Sequence, residues 1–129
     1  MTNILSIPQL PAWEFTIATG SDFRDAIQFL ADTTVDPAIP LAITGVEFAA
    51  TIRRADDTEF VLVEASTQTQ TMTVDGPAGT LSFAIPATTC SNLEEGDAIC
   101  DIVAIADGAR VNLCKDNGPL KFTIRAGLA

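Results

Sequence analysis

The chain has no histidine and no tyrosine, a single tryptophan, and only seven lysines and arginines among 129 residues. Each scarcity closes a route. Without imidazole there is no triad of the Ser-His-Asp kind and no mixed Cys/His metal site. The three cysteines, Cys90, Cys100 and Cys114, are an odd number at spacings that match no metal motif. Reduced, packed thiols are the expectation, with Cys90, beside a predicted crossover, the most exposed of them. One tryptophan and seven phenylalanines are a thin stock for a sugar-stacking cleft or an aromatic-walled pocket. Seventeen acidic residues outnumber the basic ones and leave a net charge of −10. Such a surface repels phosphate backbones, so no nucleic-acid partner is expected. No apolar run approaches the ~20 residues of a membrane span. The first residues lack the basic start and unbroken apolar stretch of a signal peptide. No membrane partner is expected either.

The carboxylates that are present gather at Asp56-Asp57-Glu59 and at Glu94-Glu95-Asp97. Neither group has the spacing of a calcium loop. Both fall at expected turns, where solvated side chains are the plainer reading. Arg53-Arg54 is the one adjacent basic pair, placed to blunt a strand end or to pair with Asp56 and Asp57. No glycine loop is built to cradle phosphate. The expectation is therefore no catalytic residue, no metal, no cofactor and no enzyme.

What the chain does have is period-2 alternation. "GVEFAATIRR" sets Val46, Phe48, Ala50 and Ile52 on one face and Glu47, Ala49, Thr51 and Arg53 on the other, the pattern of a half-buried strand. "FVLVEA" returns as its hairpin partner after the turn "ADDTE". A polar but strand-compatible "STQTQTMTV" follows, then the turn "DGPAG", then "TLSFAIP" with Leu81, Phe83 and Ile85 inward. "AICDIVAIADGARVNLC" reads as a hairpin about Asp107-Gly108. A two-residue loop there puts Cys100 and Cys114 on opposite faces, and a three-residue loop puts them on one. The longer loop also sets Val103 and Ile105 beside Val111 and Leu113, and is preferred. "PLKFTIRA" closes with Leu120, Phe122 and Ile124 on one face, and "WEFTI" near the start alternates Trp13, Phe15 and Ile17.

Between them "GSDFRDAIQFLAD" fits two templates. Phe23, Ala26, Ile27 and Leu30 suit a helix capped by Ser21, while Phe23, Ile27 and Phe29 suit a strand that Asp25 interrupts. Length and neighbours favour the strand. "SNLEEG" suits one short helical turn at a crossover. About seven or eight short, regularly spaced strands make an all-β chain, an antiparallel immunoglobulin-like β-sandwich over residues 13–129.

Residues 1–12 do not fit that pattern. Ile4, Leu5, Ile7 and Leu10 are apolar without period, and Pro8 and Pro11 break any regular element. The segment reads as an extended N-terminal arm. Its interface residues are Ile4, Leu5, Ile7, Pro8, Leu10 and Pro11, and its use is to lie on a neighbouring subunit. Each buried Ile or Leu would contribute about 1.5–3 kcal/mol before ordering costs.

"FTIATGSDFRDAIQF", "PLAITGVEFAATIRR", "GTLSFAIPATTCSNLEEGDAICDIVAIADGARVNL" and "PLKFTIRAG", in that order, resemble a group of small bacteriophage virion proteins. Their sandwich is similar to the N-terminal domain of phage baseplate upper proteins. The matching positions are Gly20-Ser21-Asp22, Ile43-Thr44-Gly45, the corner from Leu93 to Gly96, and Asp101. The aromatics usual in that group near Ala98 and Cys100 are absent, and "AITG" stands for the commoner Asp-Leu-Thr-Gly. The resemblance spans residues 13–127 and carries no catalytic residues. It implies a structural protein of the virion, assembled in the host cytoplasm, homo-oligomeric in the particle and bound to other virion proteins of the tail or baseplate. A capsid decoration or cement protein is the alternative, and a host-side ligand-binding module a second. Fold resemblance alone does not choose between them.

Overall fold

The computed structural model describes residues 7–126. Among these residues the alternation is realised as eleven strands, most of them short. They are β1 (Glu14–Ala18), β2 (Ala26–Gln28), β3 (Leu30–Asp32), β4 (Ile39–Pro40), β5 (Glu47–Arg54) and β6 (Val61–Ser66). The second half supplies β7 (Met72–Asp75), β8 (Thr80–Phe83), β9 (Gly96–Ala106), β10 (Ala109–Asn112) and β11 (Leu120–Arg125), with one helical turn, α1 (Ala87–Cys90), before β9.

The larger sheet runs β1-β11-β9-β5-β6, and β10 also pairs with β9. The long β9 is its spine. One edge of β9 takes β5 from Glu47↔Ile105 to Arg54↔Ala98. Its other edge is shared, with β11 against residues 96–100 and β10 against residues 103–106. The smaller sheet is β2-β8-β7, extended by a bridge between Phe23 and Ile85, and β3 pairs with β4 as a separate ribbon. The two layers meet through aromatic rings. Phe83 and Phe23 of the small layer lie 6.4 and 5.5 Å from Phe122 of β11, and Phe29 stacks 5.9 Å from Phe48 of β5. The all-β sandwich is thus the architecture.

The inward positions of the alternating segments are buried as the pattern requires: Val46, Phe48, Ala50 and Ile52 on or beside β5, Leu81 and Phe83 on β8 with Ile85 just beyond it, and Leu120, Phe122 and Ile124 on β11. The ambiguous 21–32 segment is extended, not helical. Phe23, Ile27 and Phe29 all point inward, and Asp25 turns out to solvent.

Three expectations are corrected. β1 pairs with β11 in parallel, from Glu14↔Lys121 to Ala18↔Arg125, so the large sheet is mixed and not wholly antiparallel. The β9–β10 loop has two residues, with φ of 52° at Asp107 and 77° at Gly108, as a type I′ turn needs. Val111 therefore faces Ala104, and Asn112 faces Val103. The helical turn lies at Ala87–Cys90, ahead of "SNLEEG". The Asp22 carboxylate accepts the Ala87 N–H at 2.7 Å and starts it, and the Ser91 hydroxyl and Asn92 amide donate to Ala87 and Thr88 carbonyls and end it.

Candidate functional site

Residues 7–12 form no strand, yet they are fastened to the body. The Leu10 N–H donates to the Leu113 carbonyl at 2.8 Å. The Gln9 side chain works in both directions: its amide donates to the Asn112 carbonyl and its oxygen accepts the Asp116 N–H, each at 2.9 Å. The Asn117 amide closes the seam on the Leu10 carbonyl at 3.0 Å. Ile7 and Leu10, only 5% and 2% exposed, belong to the same apolar cluster as the sandwich interior.

This corrects the reading of the arm. Two of the side chains assigned to a neighbour, Ile7 and Leu10, are committed to the chain's own core. Pro8 and Pro11 do face solvent, and Ile4 and Leu5 lie outside the described residues. The segment has no period because its partner is the end of β10 and the loop 113–117, whose polar groups are met by a glutamine and not by a ladder. Gln9, set between two apolar positions in an otherwise greasy segment, is the signal that was there to read.

Beyond this seam Pro11, Ala12 and Trp13 are all exposed, Trp13 to 39%. Trp13 leads into β1, whose Phe15 packs on Phe23, Phe83 and Phe122 at ring separations of 6.3, 6.4 and 5.2 Å. Segment and strand together back an exposed apolar run with packed rings and hydrogen bonds.

The three thiols are free and buried. Cys90, expected to be the exposed one, is 0% exposed because α1 folds it under the sandwich rim. Burial pushes the pKa of all three upward, most strongly for Cys100 inside β9. Neutral thiols of this kind are packing groups and poor nucleophiles.

Both acidic clusters come to one end of the molecule, around a cleft of about 410 Å³ lined by Arg54, Asp56, Glu94, Glu95 and Asp97 among others. Arg54 organises it. Its guanidinium grips Asp56 through two bonds of 3.0 Å, stands 4.0 Å from Glu94, and lies 5.6 Å over the Phe60 ring. Hydrogen bonding to Arg54 holds the Asp56 carboxyl below the usual aspartate range, and the Arg54 pKa is raised in return. Arg53 instead donates to the Thr58 carbonyl at 3.2 Å. Among the described residues no group of three or more Asp, Glu or Cys converges as metal ligands would. No described helix is long and apolar enough to cross a membrane.

Compared with protein-family models and with curated proteins, the chain matches none.

Proposed function

We propose that this chain is a non-enzymatic structural protein of a bacteriophage virion, docked in the tail or baseplate as an adaptor or attachment module. The ordered set of motifs that resembles small virion proteins supports the class, and the all-β sandwich is compatible with it. The observation that carries a docking role is the exposed run Pro11–Trp13, backed by a seam that fixes its backbone. Apolar surface presented on a fixed backbone is inexpensive to bury, because little freedom remains to be lost. The docking residues are Ile4, Leu5, Pro8 and Pro11, with Trp13 added, while Ile7 and Leu10 hold the segment in place.

The test is incorporation into particles. Virions purified from the phage that encodes the chain contain it in stoichiometric amount by mass spectrometry. A variant with Ile4, Leu5 and Trp13 each changed to Ser keeps its fold by circular dichroism and is lost from the particles. Absence of the wild-type chain from purified virions overturns the reading. Incorporation of the triple variant at the wild-type level overturns the role given to these residues.

A further inference from the structure

We propose that β1 is a dimerisation edge, on which a second copy of this chain adds its own β1 antiparallel across a two-fold axis through Thr16. The proposal rests on strand geometry and charge, independently of the virion reading. The main path of the large sheet ends at β6 and at β1, while β10 adds a third, short edge beside β9. At β6, the Thr71 hydroxyl oxygen accepts the Ser66 N–H at 2.9 Å, and the hydroxyls of Thr69 and Thr71 reach the Ser66 carbonyl. The "STQTQT" loop thus covers the Ser66 end of that edge. Among the described residues β1 pairs on one side only, its one outward bond being the Ser21 N–H on the Ala18 carbonyl at 3.3 Å; its register with β11 is unbroken, and "EFTIA" contains no lysine, proline or bulge.

The direction of its free groups follows from the bonds it makes. Lys121 N–H donates to the Trp13 carbonyl at 2.9 Å, and Thr19 N–H donates to the Arg125 carbonyl at 2.9 Å. Odd-numbered residues therefore face β11, and the N–H and C=O of Glu14 and Thr16 face outward. Pairing about Thr16 sets Thr16 opposite Thr16, and Glu14 opposite Ala18 of the second copy. The side chains of Glu14, Thr16 and Ala18 share the outer face, since Phe15 and Ile17 point inward.

Charge selects this register. Arg125 lies beside Ala18 in the β1–β11 ladder. Across the two-fold, each Glu14 meets Arg125 of the other copy over the small Ala18 side chain, twice per dimer. Within one copy neither Glu14 nor Arg125 forms an ion pair with any described residue. A two-fold through Glu14 would instead oppose like charges directly, which disfavours it.

The full chain is examined by sedimentation velocity at about 100 µM, where mass action favours even a weak dimer. The wild type sediments as a dimer. Thr16→Pro is monomeric and keeps its fold by circular dichroism, because the Thr16 N–H makes no bond to any described residue. Glu14→Lys and Arg125→Glu each weaken association by about tenfold or more, and the double variant restores it. Thr16→Cys, under mild oxidant, forms a disulfide between copies, since directly opposed residues of a hydrogen-bonded antiparallel pair stand about 5.5 Å apart at Cα, within disulfide range. The buried native thiols do not compete. A monomeric wild type, or an oligomer in which Thr16→Cys fails to cross-link, overturns the proposal.

Discussion

Cys100 lies in the middle of β9 with its side chain between the sheets, and Cys90 and Cys114 are equally enclosed. An enclosed thiol keeps its proton because the thiolate would lose its water. In the unfolded chain the same groups ionise in the ordinary range near ~8.5. Above that pH the unfolded state sheds protons that the folded state retains, so stability falls as pH rises. Below it, the full contribution is present. Native protein at pH 8 is therefore expected to react with a thiol reagent slowly, and all three thiols react at once in denaturant. Rapid labelling of Cys90 in the native state would place it at the surface and contradict its packing. Gly79 makes a second case. Its φ of +66° is already costly for any other residue, and an added Cβ would press on the Leu41 carbonyl and stand 2.8 Å from that of Phe29. Gly79→Ala should lose about 1–3 kcal/mol from backbone conformation alone, more with the clash, read as a lower urea midpoint.

The seam between residues 7–10 and 112–117 behaves as an element although it has no ladder. Leu10→Ala empties a core site and should cost about 2–5 kcal/mol in chemical unfolding. Gln9→Ala removes the two-way clip at lower cost, and amide exchange at Leu10 and Asp116 should quicken while exchange in β9 and β11 stays slow. If Leu10→Ala left stability unchanged, the segment would be an appendage and not part of the core. This seam also marks where the sequence stops being legible. Strands such as β5 and β11 announce themselves, because each has one face in the core and the side-chain period is two. The 21–32 stretch yields to the same logic once Asp25 is seen as the outward position between Phe23 and Ile27. Pairing direction carries no such period, so nothing in "EFTIA" foretells a parallel neighbour in β11. The Asp107-Gly108 dipeptide did name its own turn, since both positions need positive φ. Leu113 reaches the core without a longer loop, because it turns inward after β10 ends and needs no strand register. Residues 7–12 are legible only in type: the segment is apolar, but which of its side chains face inward depends on a loop a hundred residues away.

At the scale of the whole molecule, charge and shape act against each other. Each copy carries −10, and with both acidic clusters at the Arg54 end the local attraction at β1 sits on a body that repels its own kind. At ~10 mM salt the Debye length is about 30 Å, so the net charges of two docked sandwiches feel one another fully. At ~150 mM it is about 8 Å, and most of that repulsion is screened, while Glu14 and Arg125, close together at the edge, are screened less. Self-association through β1 should therefore tighten as salt rises over this range, opposite to the behaviour of a basic protein on a polyanion. Sedimentation equilibrium in a salt series measures it directly. Dissociation on adding salt would mean that the two edge pairs, and not the whole-body charge, govern the encounter. Glu14→Gln then separates the cases, because it removes the attraction at the edge and lowers the repulsion of the body by one charge per copy.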